Sequence, residues 1–296
     1  MLAEELRPTE WDDYIGQTAM KDRLSTHINA ALIQKKQLPH VLLTGVPGCG
    51  KTTLARIIAN AFGAEFWSFI MPFKEQAMLK FLRSCTGVVL FDEIHRLTPK
   101  QQETLLPLIE DGYYQKANGD RVYARDLTIV GATTEPEKII PPLWDRFQIK
   151  PPFDEYTDSE MSQIVMRMTI SFGIEVNVDE CHVLGRAAGG VPRNAASLVQ
   201  MTNDLMVTGQ YEGIADTLIA CRVTEDGLTE EHRRYCKVLA EAGGVAGLEI
   251  IGAHLRMAKP VIVDLERLLV KRGMVNYSKQ GRELMTDGWK LAQESD

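Results

Sequence analysis

The residues with the most chemical content are Gly45-Val46-Pro47-Gly48-Cys49-Gly50-Lys51-Thr52-Thr53. They fit the spacing G-x-x-x-x-G-K-[ST], a phosphate-cradling P-loop. Gly45, Gly48 and Gly50 let consecutive backbone N–H groups turn toward one anion, and the helix that follows adds the positive end of its dipole. Lys51 is placed to reach the β- and γ-phosphates of a bound nucleotide, and the Thr52 hydroxyl to sit on Mg²⁺. The flanks agree with the motif. An apolar run, His40-Val41-Leu42-Leu43-Thr44, precedes it, and a helical pattern, Leu54-Ala55-Arg56-Ile57-Ile58-Ala59, follows.

A second segment supplies acid. Gly87-Val88-Val89-Leu90-Phe91-Asp92-Glu93 reads as a buried strand ending in two carboxylates. A continuous apolar run of this kind suits a parallel strand covered on both faces. Ligands of doubly wound sheets bind at the carboxyl ends of such strands, which brings the loop and the acids to one crevice. Asp92 is then placed to hold Mg²⁺ through water, and Glu93 to orient and polarise the attacking water.

The elements that position these residues follow from pattern. Residues 1–153 alternate strand candidates (Val41–Thr44, Glu65–Phe69, Val88–Phe91, Leu127–Ala132) with helices near Met20–Gln34, Thr52–Phe62, Glu75–Ser84 and Pro99–Glu110. That alternation predicts an α/β domain with a parallel sheet. Asn118-Gly119, between two β-prone runs, predicts a hairpin. Pro151-Pro152 closes this first domain. Residues 154–224 read as helices broken at Phe172-Gly173 and Gly189–Pro192. Residues 225–296 read as helices at Glu230–Glu241, Leu248–Leu255 and Lys259–Lys271, then two strands around a polar turn, Tyr277-Ser278-Lys279-Gln280-Gly281-Arg282. Three short helices and a two-stranded wing spell a winged helix, a fold that docks one helix in a groove of duplex DNA. A helical protein-docking domain is the competing reading of the same pattern.

Bulk numbers bound the class. The chain has 296 residues, 45% hydrophobic and 25% charged, with a net charge of −7. Residues 1–153 carry 18 Lys+Arg and 18 Asp+Glu, residues 154–224 carry 4 and 10, and residues 225–296 carry 11 and 12. The acidity therefore sits in the middle segment, and a DNA contact in the last one stays open, since binding follows local patches. No apolar stretch reaches membrane-spanning length, so no membrane partner is expected. The opening Met1-Leu2-Ala3-Glu4-Glu5 has no basic region leading an apolar one. Cys49, Cys85, Cys181, Cys221 and Cys236 are dispersed, which reads as reduced thiols of a cytoplasmic protein.

Several segments together resemble the RuvB family of AAA+ ATPases: Leu6-Arg7-Pro8, Asp13–Gln17, Asp92-Glu93-Ile94-His95-Arg96-Leu97, Gly131-Ala132-Thr133-Thr134, Leu143-Trp144-Asp145-Arg146-Phe147 and Gly190-Val191-Pro192-Arg193, in that order. The resemblance implies a large AAA+ domain (1–153), a helical lid (154–224) and a C-terminal winged helix (225–296). It implies a hexameric ring that drives branch migration of Holliday junctions on duplex or four-way junction DNA. It also implies individual roles. Leu6, Arg7, Tyr14 and Ile15 line the adenine pocket. Gly48, Lys51, Thr52 and Thr53 hold the phosphates and Mg²⁺. Thr134 is sensor 1, Arg193 is sensor 2 reaching from the lid, and Tyr156 lies near the nucleotide. Arg146 resembles the arginine finger given to a neighbour's ATP. Read from its residues alone, Arg146 could equally pair with Asp145 or with a lid acid.

The chain also departs from that family. Trp144 stands where another arginine is usual, and Gly112 replaces a tyrosine. The hairpin at Asn118-Gly119 is shorter than the one with which the family docks the junction-binding partner RuvA, so dependence on a RuvA-like protein and independence of one stand side by side. Val122 and Tyr123 could make an apolar contact there or be ordinary strand residues. Arg282 matches a family DNA-contacting position, with Lys279 beside it, Tyr277 stands where a second arginine is usual, and Lys271 and Arg272 could extend the patch. The competing function with the same core is a clamp-loader or helicase-loader ATPase that remodels a protein partner. A nucleotide-dependent scaffold with little turnover is a third class.

Overall fold

The computed structural model describes residues 6–84, 86–116, 118–124 and 126–294, so the readings at Met1–Glu5 and Cys85 lie outside the described residues. The chain divides into two compact units, Met1–Tyr156 and Thr157–Asp296.

The first unit runs α1 (Thr18–Gln34), β1 (Val41–Thr44), α2 (Lys51–Phe62), β2 (Phe66–Ile70), α3 (Glu75–Ser84), β3 (Gly87–Asp92), α4 (Pro99–Asp111), the hairpin β4 (Tyr113–Gln115) and β5 (Arg121–Tyr123), β6 (Leu127–Thr133) and α5 (Pro141–Arg146). Short 3₁₀ turns at Ile94–Arg96 and Pro136–Lys138 follow β3 and β6. The sheet order is β1-β6-β3-β2, and every pairing in it is parallel. Ile149 and Pro152 add parallel bridges to Val41 and Thr44 on the outer side of β1.

Alternation sorts the strand residues onto two faces. Leu42, Val89, Phe91 and Ile129 pack with Met78, Leu82, Leu105, Leu108 and Leu143 from α3, α4 and α5. Val41, Leu43, Val88, Leu90, Val130 and Ala132 pack with Leu24, Ile28, Leu54, Ile57 and Ile58 from α1 and α2. Helices thus cover both faces, which is why these strands read as unbroken apolar runs. Trp144 is half-buried against the first of these cores, and the Lys150 ammonium lies 5.6 Å from its ring centre. Gly112 has φ 70° as the C-cap of α4, a left-handed position that suits glycine and explains its presence there. In the hairpin, Val122 is buried in the core, whereas Tyr123 is 61% exposed beside Tyr113.

The second unit begins with helices α6 (Asp158–Phe172), α7 (Val178–Ala187), α8 (Pro192–Thr208) and α9 (Ile214–Cys221). It continues with α10 (Glu230–Glu241), β7 (Val245–Ala246), α11 (Leu248–Leu255), α12 (Lys259–Lys271), β8 (Val275–Ser278), β9 (Gly281–Leu284) and α13 (Thr286–Gln293). The antiparallel sheet β7-β9-β8 packs with α10–α13 around Tyr235, Leu239, Ile251, Ile262 and Leu269. The two-residue strand β7 and the closing helix α13 are additions to the elements read from sequence.

Arg272 changes role. Its guanidinium donates to Asp158 (2.8 Å), to the Arg186 carbonyl (2.9 Å) and to the Asp226 carbonyl (3.1 Å). It fastens α12 to the preceding helices and so is not part of a solvent-facing basic patch. Among the described residues no helix is long and apolar enough to cross a membrane.

His232 sits at the third position of α10, where its Nδ1 accepts from the Thr229 N–H at 3.0 Å. That bond needs the neutral ring, and burial lowers the His232 pKa to about 4. The unfolded chain binds the proton first as pH falls, so stability present above pH ~6.5 drains away toward pH 4, on the order of 2–3 kcal/mol. Urea unfolding followed at pH 7 and pH 5 should show this loss, and His232→Gln, whose amide oxygen can accept the same bond, should shrink it.

Candidate ATPase site

Parallel register sets the site. Thr44 lies opposite Thr133, Phe91 opposite Gly131 and Ile70 opposite Asp92, so β1, β3 and β6 end close together. The P-loop leaves β1, Asp92 and Glu93 leave β3, and Thr133 and Thr134 leave β6, all at the carboxyl edge where doubly wound sheets bind ligands.

The loop is built tightly. A Cβ on Gly45 would lie 2.9 Å from Phe153 Cβ, and one on Gly50, at φ +108°, would lie 2.8 Å from the Tyr14 hydroxyl. Glycine is the residue that fits both places. Lys51 is 6% exposed, and its ammonium donates to the carbonyls of Gly45 (2.8 Å) and Val46 (2.9 Å). A buried ammonium must be paired, and here its partners are the loop's own oxygens, next to where phosphate would lie. Cys49 is a buried filler under this loop, its Sγ 4.0 Å from the Lys51 Nζ.

The Thr52 hydroxyl faces Asp92 Oδ2 at 3.4 Å. A hydroxyl and a carboxylate side by side are the hard oxygen donors that suit Mg²⁺. Asp92 Oδ1 accepts from the Glu93 N–H at 3.0 Å. Glu93 adopts a left-handed backbone (φ 53°, ψ 46°), uncommon for a residue with a side chain. Its Oε2 accepts from the Thr134 hydroxyl at 3.1 Å and lies 3.2 Å from His95 Nδ1.

In the sequence His95 stands out only as one letter of the motif Asp92–Leu97. Its ring is nearly buried between two acids, with Nδ1 also 3.0 Å from the Thr133 hydroxyl and Nε2 3.0 Å from Glu135 Oε1. Lys138, pairing with Glu135, is the first cause that holds the Glu135 carboxyl below its usual range, with the charge of His95 adding to it.

The opposite wall comes from the N-terminal segment. Leu6 and Tyr14 are buried, whereas Arg7 and Ile15 are half-buried. Tyr156 is 3% exposed, and its hydroxyl donates to the Cys49 carbonyl at 3.2 Å and lies 3.4 Å from the Tyr14 hydroxyl. Burial, followed by the charge of Tyr156, raises the Tyr14 pKa well above the usual phenol value. Gln17 carries no signal of a site role in the sequence. Its amide exchanges two hydrogen bonds with the Asp154 backbone, 2.8 and 2.9 Å, which closes this segment over the loop.

Arg146, at the end of α5, is paired with Glu110 of α4 by its Nε (2.8 Å) and its terminal nitrogen (2.6 Å), and it donates to the Pro142 carbonyl at 2.8 Å. Its ion-pair partner is therefore Glu110 and not the Asp145 next to it. Arg193 stands exposed in the first turn of α8, within the second unit.

On the wing, Lys279 is exposed at the turn between β8 and β9. Arg282 is differently engaged. Its Nε and a terminal nitrogen bind Glu266, a carboxylate with no exposure, at 2.9 and 3.2 Å, and Glu266 also accepts from Tyr235 (2.9 Å) and Tyr277 (3.2 Å). That pairing cancels the Arg282 charge and locks the wing to α12.

A P-loop, a strand-end acid pair and a hydroxyl on the neighbouring strand, carried on a 1-6-3-2 parallel sheet, define a P-loop ATPase. Comparison with known proteins makes this particular. Residues 6–152 match the model for the Holliday junction DNA helicase RuvB P-loop domain, and residues 225–293 match the RuvB C-terminal winged helix domain. The chain is 34% identical, over 96% of its own length and 87% of the relative's, to the Holliday junction branch migration complex subunit RuvB of Gluconobacter oxydans (strain 621H). It is similar to the Thermotoga maritima RuvB Holliday junction branch migration motor, with a TM-score of 0.86, 29% identity and 99% of each chain covered. A lysine-to-arginine mutant of Thermotoga maritima RuvB gives a TM-score of 0.85 at 30% identity over 96% of this chain and 97% of that one. The chain belongs to the RuvB family and is an ATP-hydrolysing enzyme.

The contact between Thr134 and Glu93 has a direct consequence. Thr134→Val keeps the shape and removes the donor, so kcat should fall on the order of a hundredfold while the KM for ATP holds, as for an interaction made only in the transition state. Steady-state ATPase kinetics measure both numbers. An unchanged kcat would remove Thr134 from the site.

Proposed function

We propose that this chain is an ATP-driven DNA motor that migrates four-way junctions as a ring of identical subunits, in the manner of RuvB. The observation that carries the reading is the meeting of Thr52 with Asp92, and of Thr134 with Glu93, at the edge of a P-loop, in a chain whose last segment matches the family's winged helix. That match favours a DNA motor over a loader that acts on a protein partner. Three working parts follow: an ATPase domain over 1–153, a helical lid over 154–224 and a winged helix over 225–296.

The chemistry follows from the residues. Phosphate oxygens entering the loop take over the Lys51 ammonium from the carbonyls of Gly45 and Val46, with the backbone N–H groups of Gly48 and Gly50 and the hydroxyls of Thr52 and Thr53 around them. Thr52 and Asp92 would hold Mg²⁺, which when bound neutralises charge on the β- and γ-oxygens. Leu6, Arg7, Tyr14, Ile15 and Tyr156 enclose the base. Glu93 orients the attacking water and draws on its proton, while Thr134 fixes the carboxylate. Arg193 reaches the nucleotide from the lid. Arg146 leaves Glu110 and meets the γ-phosphate bound by the neighbouring subunit, so one chain carries only part of a working site. Hydrolysis removes the group that both arginines hold, and the lid moves against the ATPase domain, a hinge motion of known type.

On DNA, Lys279 meets phosphate at the wing tip, and Arg282 acts mainly by holding the wing in place through Glu266. A RuvA-like partner would have to dock on a short hairpin with Tyr123 outward.

Two measurements test the reading. Arg146→Ala should lower the ATPase rate by about 10³–10⁵-fold, and Glu93→Gln should abolish both turnover and migration of a synthetic four-way junction. Junction migration by Glu93→Gln would overturn the motor. In salt titrations of duplex binding, Lys279→Gln should reduce the slope of log affinity against log salt by about 0.9. A slope unchanged by Lys279→Gln would remove the wing tip from the DNA contact.

A further inference from the structure

Gln102 is a charge-free polar side chain, 1% exposed, in the core of the ATPase unit. Its amide nitrogen donates to the carbonyls of Leu97 and Lys138, both at 3.0 Å, and its oxygen accepts from the Ile140 N–H at 2.9 Å. Three of its four hydrogen bonds are thus made to backbone, and each lands at an informative place. Leu97 closes the 3₁₀ turn that begins directly after Glu93. Lys138 ends the turn whose Glu135 holds His95. Ile140 is the N-cap of α5, the six-residue helix that ends in Arg146.

The same helix that carries Gln102 grips the other end of α5. Glu110, near the C-terminus of α4, binds the Arg146 guanidinium. α4 itself starts at a capping box, Thr98 with Gln101, one residue after Leu97. The path is continuous and within one unit: Glu93, the turn at Ile94–Arg96, α4, then α5 at both its ends. A second strand of it runs from Glu93 through His95 and Glu135 to Lys138 and Gln102. Buried, fully directed hydrogen bonds of this kind move as a unit, because leaving one unmade in the core is costly.

We infer that Gln102 is a positioning residue that couples a subunit's own hydrolytic glutamate to the arginine finger it presents to its neighbour. When Glu93 changes its grip on Thr134 and His95, the turn behind it shifts, and Gln102 passes the shift to Ile140 and hence to the placement of Arg146. Each site thereby reports its state to the next subunit through the finger. This rests on the reading of Arg146 as acting in trans, and the test separates the two.

The test uses co-assembled mixtures of full-length variants, with ATP turnover as the readout. Glu93→Gln subunits have a dead site of their own but keep Arg146 in place, because the glutamine amide oxygen can still accept from Thr134 and hold the turn behind it. Arg146→Ala subunits have an intact site but offer none. Mixed together, they should turn over ATP faster than either alone. Gln102→Leu alone should turn over about ten- to a hundredfold more slowly than wild type, as for a reacting group displaced by about 1 Å, with the KM for ATP unchanged. Co-assembly with Glu93→Gln should restore its turnover, and co-assembly with Arg146→Ala should not. Gln102→Glu, which keeps the acceptor for Ile140 but loses both donors, provides a second variant of nearly the same volume. If Arg146→Ala is not rescued, the trans finger itself fails. If Arg146→Ala is rescued but neither Gln102 variant is, Gln102 serves its own subunit's site or fold, and the coupling is overturned.

Discussion

Parallel strands that end together have one chemical consequence: whatever follows them must share a crevice. In this chain β1, β6 and β3 are neighbours in the sheet, with Thr44 opposite Thr133 and Phe91 opposite Gly131. The phosphate loop, the acid pair and the threonine pair are therefore brought together by backbone hydrogen bonding before any side chain makes a contact. The side-chain geometry refines what register has already placed. A slip of one residue in β3 would turn Asp92 and Glu93 to opposite sides and bring Phe91 to the crevice.

Much of this was legible in the sequence because it depends on local pattern. Unbroken apolar runs gave away buried parallel strands, Asn118-Gly119 gave away the hairpin, and the P-loop spacing carries its own flanks. Three helices of the winged-helix segment fall where their periodicity puts them, at Glu230–Glu241, Leu248–Leu255 and Lys259–Lys271. A two-residue strand such as β7 has no periodicity to read, and it exists because β9 offers it an edge.

The less legible part concerns partners distant in sequence. Nothing local says that Arg146 pairs with Glu110, 36 positions earlier, or that Arg282 spends its charge on Glu266. In both cases a basic residue was readable as a functional cation, and its acid partner lies on another element. Arg272 makes the same point, since its three partners come from three separate places in the chain. The roles of His95 and Gln102 are illegible in the sequence for a related reason. Each is one polar letter in an otherwise ordinary stretch, and its importance lies in which backbone it reaches.

In the proposed mechanism a single chain does not complete the catalytic centre, and Arg146 is held on Glu110 until a neighbour supplies the phosphate it is meant for. The most direct test is ATP turnover per subunit as a function of protein concentration, with the assembly state followed in the same samples by sedimentation. Turnover per subunit should be low where the chain sediments as a monomer and rise in step with assembly, and Arg146→Ala should assemble without that rise. A monomer that hydrolyses ATP at the full rate, with no dependence on concentration, would contradict the account.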